Sequence, residues 1–327
     1  MKTFLYALLL VFPILSHTQM TDRTYAEKLG FPKGAKVVIL HVDDAGMSFD
    51  SNEGTVQALT KGVATSCSVM MPCPWVPAFV QFLQSHPQLD AGLHLTLTSE
   101  WNGYRWGPLA GKSAVPGLVD SSGSLWQSVE AVVQHATPDE VEKEIEAQYN
   151  RAVTMGFTPT HFDSHMGTLF ASPAFMERYI KLGIKYHIPV MFPGGHAALI
   201  TAQNNIGGEQ KAQLQSLGIM LWNAGLPVLD DLHNTTYNWA PPKANAKSNY
   251  KTPLYINALK DIKPGLTMMI MHCTAPTEVF KEISDSGPSR NADLQAMLDP
   301  DFKKALQKEN IILTTWREVA QRRTRLK

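Results

Sequence analysis

Three segments of the chain combine a short apolar run with clustered aspartate and histidine residues. They are residues 36–44, 90–98 and 160–165, which carry Asp43, Asp44, His94, His161, Asp163 and His165. Each run is short and rich in strand-forming residues, so we expect three parallel strands whose polar residues lie at their ends. Side chains from separate strands meet at the C-terminal edge of a barrel or open sheet. The pattern therefore predicts an enzyme that uses a divalent metal.

Asp43 and Asp44 are adjacent at the end of the first of these strands. Neighbours in a regular strand point to opposite faces, but a turn at the strand end lets both reach one site. One carboxylate can then bind a metal while the other takes a proton from water. The alternative is a helix N-cap followed by a turn residue, because aspartate is common at both positions. Histidines at two later strand ends favour the metal site.

His94 lies within an apolar strand, where a lone histidine is more often a satisfied core residue than a ligand. His161, Asp163 and His165 alternate along an extended segment and so share one face. Such a cluster can supply a ligand together with the carboxylate that orients it. Two imidazoles and one carboxylate form a catalytic metal set, which suits Zn²⁺ and also accepts Mg²⁺, Mn²⁺ or Ni²⁺.

Two further features are candidates for substrate chemistry. His272 follows the apolar run 266–271, and an imidazole there is either a general acid or a buried core residue. The segment 100–123 is rich in glycine, proline and tryptophan and is long for a passive connection. The aromatic residues in or near it either stack on sugar rings or pack the loop down; they are Trp101, Tyr104, Trp106 and Trp126.

Apolar periodicity predicts strands that alternate with helices along the whole chain. Strands are expected at residues 36–42, 65–71, 91–97, 159–164, 188–192, 219–222, 266–271 and 311–314. Helices are expected at residues 52–61, 75–85, 137–155, 173–182, 209–217, 253–259 and 292–307 and after Trp316, with a loop over 230–248. Repeated βαβ units without a glycine-rich nucleotide fingerprint favour a barrel, so we predict a single α/β domain with a distorted TIM-like (β/α) barrel.

The N-terminal residues predict where the protein is located, and the overall charge argues against some classes of partner. Residues 1–18 have a basic start, a short apolar core and a polar exit, which predicts a signal peptide and a periplasmic or secreted protein. An uncleaved anchor or a buried N-terminal helix is the alternative. The catalytic domain is then residues 19–327. A net charge of zero argues against nucleic acid or an anionic membrane surface as partner. A homodimer is compatible with the sequence.

The three cysteines form no convincing framework. Cys67 and Cys73 could pair across a turn at Pro72, but small buried hydrophobes are the more ordinary interpretation for these residues and for Cys273.

Taken together, these motifs resemble those of the YdjC-like carbohydrate deacetylase family, which includes chitooligosaccharide deacetylases. The family motif Asp-Asp-Phe-Gly-x-Ser corresponds to residues 43–48, Gly-x-His-x-x-Leu to residues 92–97, and Thr-His-x-Asp-Ser-His to residues 160–165. The late histidine corresponds to His272. Order and spacing agree from about Lys36 to the last helix, so the resemblance covers nearly the whole mature chain.

The resemblance implies a TIM-like barrel that removes acetyl groups from N-acetylated oligosaccharides with one divalent metal, Mg²⁺ or Zn²⁺. The metal ligands correspond to Asp44, His94 and His165. The catalytic base corresponds to Asp43, and His272 is expected to protonate the leaving amine.

The chain departs from the family pattern around these residues. His41-Val42 stands where asparagine usually precedes the acidic pair, Ala45 replaces phenylalanine, Met166-Gly167 replaces further histidines, and Cys273 replaces proline. These departures leave the ligands intact and put the substrate in question. Two other functions stay open: a non-catalytic sugar-binding protein, and a glycoside hydrolase that pairs Asp43 with Asp230 or Asp231. A metallo-phosphoesterase is a weaker alternative, because no phosphate cradle is visible.

Overall fold

The computed structural model describes residues 23–241 and 247–326. The predicted signal peptide, residues 1–18, lies outside the described residues. Within them the strands are all parallel and belong to one sheet. They are β1 (Lys36–Ala45), β2 (Ser66–Val69), β3 (Ala91–Leu95), β4 (Phe162–Ser164), β5 (Asp231–His233), β6 (Gly265–Met271) and β7 (Ile311–Leu313).

Helices connect these strands as the sequence predicted. They are α1 (Tyr25–Lys28), α2 (Phe49–Thr60), α3 (Val76–Ser85), α4 (Val129–His135), α5 (Pro138–Thr154), α6 (Pro173–Tyr186), α7 (Ala198–Asn204), α8 (Gly208–Asn223), α9 (Thr252–Asp261), α10 (Gly287–Leu298), α11 (Pro300–Lys308) and α12 (Trp316–Thr324). In the described part of the chain, no helix has the length and apolar character needed to span a bilayer.

The sheet curls into the predicted distorted TIM-like barrel. Its order is β4-β3-β2-β1-β6-β5, and β7 pairs with the beginning of β1. Isolated parallel bridges join Phe162 to Val190 and Pro193 to Leu229. The chain between β4 and β5 therefore continues the curved sheet from β4, at one end of the strand order, towards β5 at the other end. The central strand β1 is buried along almost its whole length, as expected for a parallel strand covered on both faces.

Several predicted elements differ from the structure. The strand predicted at residues 219–222 is wrong: those residues form the last turns of α8. The strand predicted at 188–192 consists only of the isolated bridge at Val190. The predicted loop 230–248 contains β5, whose three residues are too few to show a period. Helices α1, α4 and α7 were not predicted.

The helix predicted at residues 292–307 is two helices. α10 ends at Leu298, and α11 begins at Pro300 with Asp299 as its N-cap. Proline disfavours a helical conformation at the preceding residue and lacks the N–H that a helix interior requires, which explains the break. The three cysteines are buried free thiols, so Cys67 and Cys73 are not joined.

Candidate metal and catalytic site

The end of β1 turns two neighbouring carboxylates towards the same site. Its pairing with β2 shifts register between Val42 and Ala45, which is a β-bulge. Asp44 has a φ of 67°, a left-handed conformation that residues other than glycine rarely adopt. The bulge and the turn explain how both Asp43 and Asp44 reach a buried cluster, which a regular strand would not allow.

Asp44 lies between two histidines from other strand ends. Its Oδ1 atom is 3.3 Å from His94 Nε2 and 3.3 Å from His165 Nδ1, and all three side chains are buried. This oxygen has no hydrogen-bond partner among the described residues, which is costly for a buried carboxylate. The three ligand atoms lie within 4.8 Å of one another, so the group could hold a metal ion. The donor set, two imidazoles and one carboxylate, fits a divalent metal.

Asp163 fixes the orientation of His94. The two residues are register partners on β3 and β4. Asp163 Oδ1 lies 2.7 Å from His94 Nδ1, and because a carboxylate can only accept, Nδ1 donates. This contact leaves His94 Nε2 aimed at Asp44, as a carboxylate does behind a metal-binding histidine.

His41 is a member of the cluster that the sequence analysis noted only as a departure from the family motif. Its Nε2 atom lies 3.2 Å from Asp43 Oδ1 and 2.9 Å from Asp163 Oδ2. Ser66 and Ser68 on β2 contact its two ring nitrogens at 3.1 Å. Burial works to lower its pKa, but Asp163 and Asp43 outweigh burial and raise the pKa to about 9. A cationic His41 therefore links the two carboxylates.

His272 lies on the other side of Asp43. Its Nε2 atom is 3.8 Å from Asp43 Oδ2, and its backbone N–H donates to Asp293 Oδ2 at 3.1 Å. Loss of solvent, assisted by the charge of Arg290 and opposed by Asp44, lowers the pKa of His272 to about 4. His272 is therefore neutral near pH 7.

Two charged residues that the sequence analysis did not select complete the cluster. Arg290 on α10 is buried and donates to Asp44 Oδ2 at 2.6 Å, while Glu100 accepts from His165 Nε2 at 3.1 Å. Burial acts to raise the pKa of Asp44, but Arg290, His165 and His94 hold it well below its usual range. Asp44 is thus ionised, with one oxygen paired to Arg290 and the other free.

The electrostatic field at the two histidines favours positive charge. For His94, burial works to lower the pKa, yet the charges of Asp43 and Asp163 raise it well above its usual value. For His165, Glu100 and Asp44 overcome burial and raise the pKa to about 9. A field that favours a proton on an imidazole equally favours a cation between the rings.

His161 and Trp106, the other residues selected from the sequence, lie at the edges of this arrangement. His161 is buried behind the cluster, 3.5 Å from Asp163 Oδ2, and its ring stacks on Trp316. Trp106 is buried, and its Nε1 atom donates to the carbonyl of Thr98 at 2.9 Å. Trp106 therefore packs the loop rather than offering a free ring to a ligand.

Comparison with known proteins identifies the family. A model of the family described as YdjC-like protein matches residues 37–308. A carbohydrate deacetylase of Thermus thermophilus is 31% identical over 302 residues, which cover 90% of this chain and 97% of that protein. A chitooligosaccharide deacetylase of Yersinia enterocolitica is 33% identical over 134 residues, which cover 40% of this chain and 49% of that protein.

A solved structure supports the fold. The crystal structure of an Enterococcus faecalis protein named for cellobiose-phosphate cleavage superimposes with a TM-score of 0.71 at 20% identity, covering 86% of this chain and 98% of that one. The family match spans the strands that carry Asp43, Asp44, His94 and His165. The chain belongs to the YdjC-like family, and the two relatives described above are a carbohydrate deacetylase and a chitooligosaccharide deacetylase.

Proposed function

We propose that this protein is a metal-dependent hydrolase that removes acetyl groups from N-acetylated sugars of the chitooligosaccharide type. The observation that carries the proposal is the free Oδ1 atom of Asp44, buried at 3.3 Å from an imidazole nitrogen of both His94 and His165. The deacetylase names of similar proteins support the reaction class.

Asp44, His94 and His165 would hold the metal, and Mg²⁺ or Zn²⁺ fits this donor set. A divalent ion bound there lowers the pKa of water and polarises the acetamide carbonyl. Arg290 keeps Asp44 ionised, and Asp163 keeps the Nε2 atom of His94 directed inwards. The protein thus contributes a preorganised, buried set of ligands.

Asp43 would be the catalytic base. It lies beside the ligand set, with Oδ2 3.7 Å from His94 Nε2, and His41 holds its other oxygen at 3.2 Å. Attack of water on the acetamide carbon needs a group that accepts the proton of water. Asp43 stands where it can do so without being a ligand.

His272 would deliver the proton to the leaving amine. His272 Nε2 lies 3.8 Å from Asp43 Oδ2, so the proton that Asp43 accepts would pass to His272. It would then donate this proton to the nitrogen as the C–N bond breaks, which yields acetate and a free amino sugar. Removal of either group is expected to slow the reaction by about 10²- to 10⁴-fold.

The proposal also includes export. The basic start and short apolar core of residues 1–18 support a signal peptide, which would direct the enzyme to the periplasm or out of the cell. The N-terminal sequence of the protein purified from its native host tests this point. A mature chain that begins near residue 19 is expected, and a mature chain that retains residues 1–18 would overturn it.

The test of the function is acetate release from a panel of N-acetylated oligosaccharides, measured for wild type and Asp43→Asn with and without added divalent metals. We expect metal-dependent release by wild type and a loss of about 10³-fold in Asp43→Asn, which should still bind metal. Carbohydrate binding without acetate release by wild type would instead support the non-catalytic sugar-binding alternative.

A further inference from the structure

The exposed aromatic side chains of the described residues all lie on one end of the barrel. They are Phe49, Trp75 and Tyr237, and each belongs to a segment that follows the C-terminal end of a strand: β1, β2 and β5 respectively. Most of the exposed large aliphatic side chains lie on outer helices, and only Val279 among them is in a segment that follows the C-terminal end of a strand, β6; they are Val133, Val153, Ile219, Met220, Leu254, Val279 and Leu326. The aromatic residues therefore share the end of the barrel that carries the catalytic cluster.

Phe49 and Trp75 form a defined pair, which we call the aromatic platform. Phe49 is 46% exposed and Trp75 is 41% exposed. Their ring centroids lie 5.4 Å apart with an interplanar angle of 61°, so each ring supports the edge of the other. Because the two rings already pack together, binding a ligand costs these side chains little conformational entropy.

The backbone beneath the platform is fixed to the loop that carries the two aspartates. The Trp75 N–H donates to the Gly46 carbonyl at 3.1 Å. Asn52 bridges the same segments, since its Oδ1 atom accepts from the Gly46 N–H at 2.7 Å and its Nδ2 atom donates to the Trp75 carbonyl at 3.0 Å. A Cβ at position 46 would lie 2.6 Å from Val76, so the close approach of the two segments depends on glycine at this position. The platform is thus held at a set position relative to the loop that follows Asp43 and Asp44.

Local folding does not require the two rings. The N-cap of α2 is Ser48, whose hydroxyl accepts from the Ser51 N–H, and the link between the loops is made by Asn52. Phe49 occupies the first helical position, where it makes no cap contact. Exposed apolar side chains that lie together, rather than singly, are typical of a binding surface.

We propose that Phe49 and Trp75 bind a sugar ring of the oligosaccharide substrate, next to the sugar whose acetyl group is removed. This inference rests on the proposed function and adds a second sugar subsite to it. A pyranose offers an apolar C–H face to an aromatic ring. Tyr237, which contacts the His272 ring at a centroid distance of 4.9 Å, marks the opposite side of the catalytic cluster.

The test compares Trp75→Leu, Trp75→Phe and Phe49→Leu with wild type. Leucine keeps an apolar side chain but removes the ring, whereas phenylalanine keeps a ring. We expect Trp75→Leu to raise KM about tenfold for oligosaccharides and much less for the monosaccharide, and Trp75→Phe to restore most of the affinity. Met220→Leu, an apolar exchange on the outer helix α8, is the matched control, and thermal melting establishes that each variant is folded.

Binding is measured separately by calorimetric titration of an N-acetylated oligosaccharide into Asp43→Asn with and without Trp75→Leu. If Trp75→Leu changes neither the affinity nor the KM at any substrate length, the platform does not bind sugar, and the proposed deacetylase activity is unaffected by that result. Affinity that depends on Trp75, without acetate release by wild type, would retain the platform and overturn the proposed reaction. A shift in oligomeric state on Trp75→Leu, with sugar affinity unchanged, would assign the platform to a contact between copies and overturn the inference.

Discussion

The chain contains two Asp-Asp pairs at the ends of the barrel strands, and they have opposite surroundings. Asp43 and Asp44 close β1, whereas Asp230 and Asp231 open β5. Around the first pair the near neighbours are imidazoles and a guanidinium, and Asp44 Oδ1 is left without a hydrogen bond. Around the second pair the neighbours are mostly backbone N–H groups, and the one imidazole, that of His196, lies 3.4 Å from Asp231 Oδ2.

The second pair joins four segments of the fold. Asp230 accepts from the backbone N–H groups of Tyr25, Ala26 and Leu266 at 2.8–2.9 Å. Asp231 accepts from the N–H groups at the start of α7, the nearer at 2.8 Å. Burial raises the pKa of Asp230, and these backbone bonds offset only part of that effect.

The comparison shows that an Asp-Asp dipeptide has no fixed role. Saturation by backbone donors makes Asp230 and Asp231 structural, and a free oxygen among titratable side chains makes Asp43 and Asp44 suited to chemistry. Because their oxygens already accept backbone hydrogen bonds, Asp230 and Asp231 are poor candidates to pair with Asp43 in a glycoside hydrolase. Such an enzyme needs a carboxyl group free to face the sugar.

The largest effect is expected from replacing Asp44, the member of the first pair that is the proposed metal ligand. Asp44→Asn should lower acetate release about 10³-fold or more, because it replaces a charged ligand and leaves Arg290 without a countercharge. Acetate release at saturating metal measures it. Asp231→Asn, an equal change in the second pair, is the control and should retain activity in the folded protein. A similar loss of activity in Asp44→Asn and Asp231→Asn would contradict the assignment of different roles to the two pairs.

The next effect is on stability. Asp230→Ala leaves three buried backbone N–H groups without an acceptor, so we expect the free energy of unfolding to fall by about 3–5 kcal/mol. Denaturant unfolding measures this change, and activity per folded molecule should stay close to that of wild type. A stable Asp230→Ala variant with lost activity would mean that the second pair belongs to the active site.

A smaller effect is expected from Asp163, the carboxylate behind the proposed metal ligand His94. Asp163→Asn keeps the shape of the side chain but weakens the contact that orients His94, which should reduce metal affinity by about 10- to 100-fold. Titration of the metal-free protein with Zn²⁺ gives the affinity. Asp139→Asn, at an exposed position on α5, serves as control. Unchanged affinity in Asp163→Asn would show that Asp163 does not position the ligand.

The smallest effect concerns Glu144, a structural carboxylate like Asp230. It accepts from the N–H groups of Leu109 and Ala110, yet burial outweighs these bonds and raises its pKa from 4.5 to about 6. The folded state therefore holds the proton more tightly than the unfolded state. Its contribution to stability is fully present below pH 4.5 and is lost as the pH rises through about 6.

The difference of about 1.5 pKa units (6 − 4.5) corresponds to about 2 kcal/mol. The free energy of unfolding of wild type, compared with that of Glu144→Gln, should fall by this amount between pH 4.5 and pH 7. A difference between the two proteins that is constant with pH would show that Glu144 does not titrate as described.

The sequence predicted most of the first pair's surroundings because the signals are local. An apolar run followed by a polar residue locates the end of a buried strand, and three such ends converge wherever parallel strands curl into a barrel. Asp43, Asp44, His94 and His165 were therefore predictable as a group. The contacts of Asp230 were not, because they depend on backbone groups contributed by segments more than thirty residues away.

Arg290 and Glu100 were also beyond the sequence analysis, since nothing near them in the chain marks them as partners of Asp44 and His165. A signal for His41 did exist. Ser66 and Ser68 alternate on a buried strand, and small polar residues at that spacing indicate a buried polar partner. The strand predicted at residues 219–222 was wrong because a short apolar run fits a strand and a helix equally well.

Metal binding to the purified protein tests the central claim most directly. Zn²⁺ or Mg²⁺ is titrated into metal-free wild type, Asp44→Asn and Asp231→Asn, and the stoichiometry and affinity are measured. We predict one ion per chain for wild type and Asp231→Asn, and affinity at least about 100-fold weaker for Asp44→Asn. No bound ion in wild type, or equal binding by Asp44→Asn, would contradict a metal site formed by Asp44, His94 and His165.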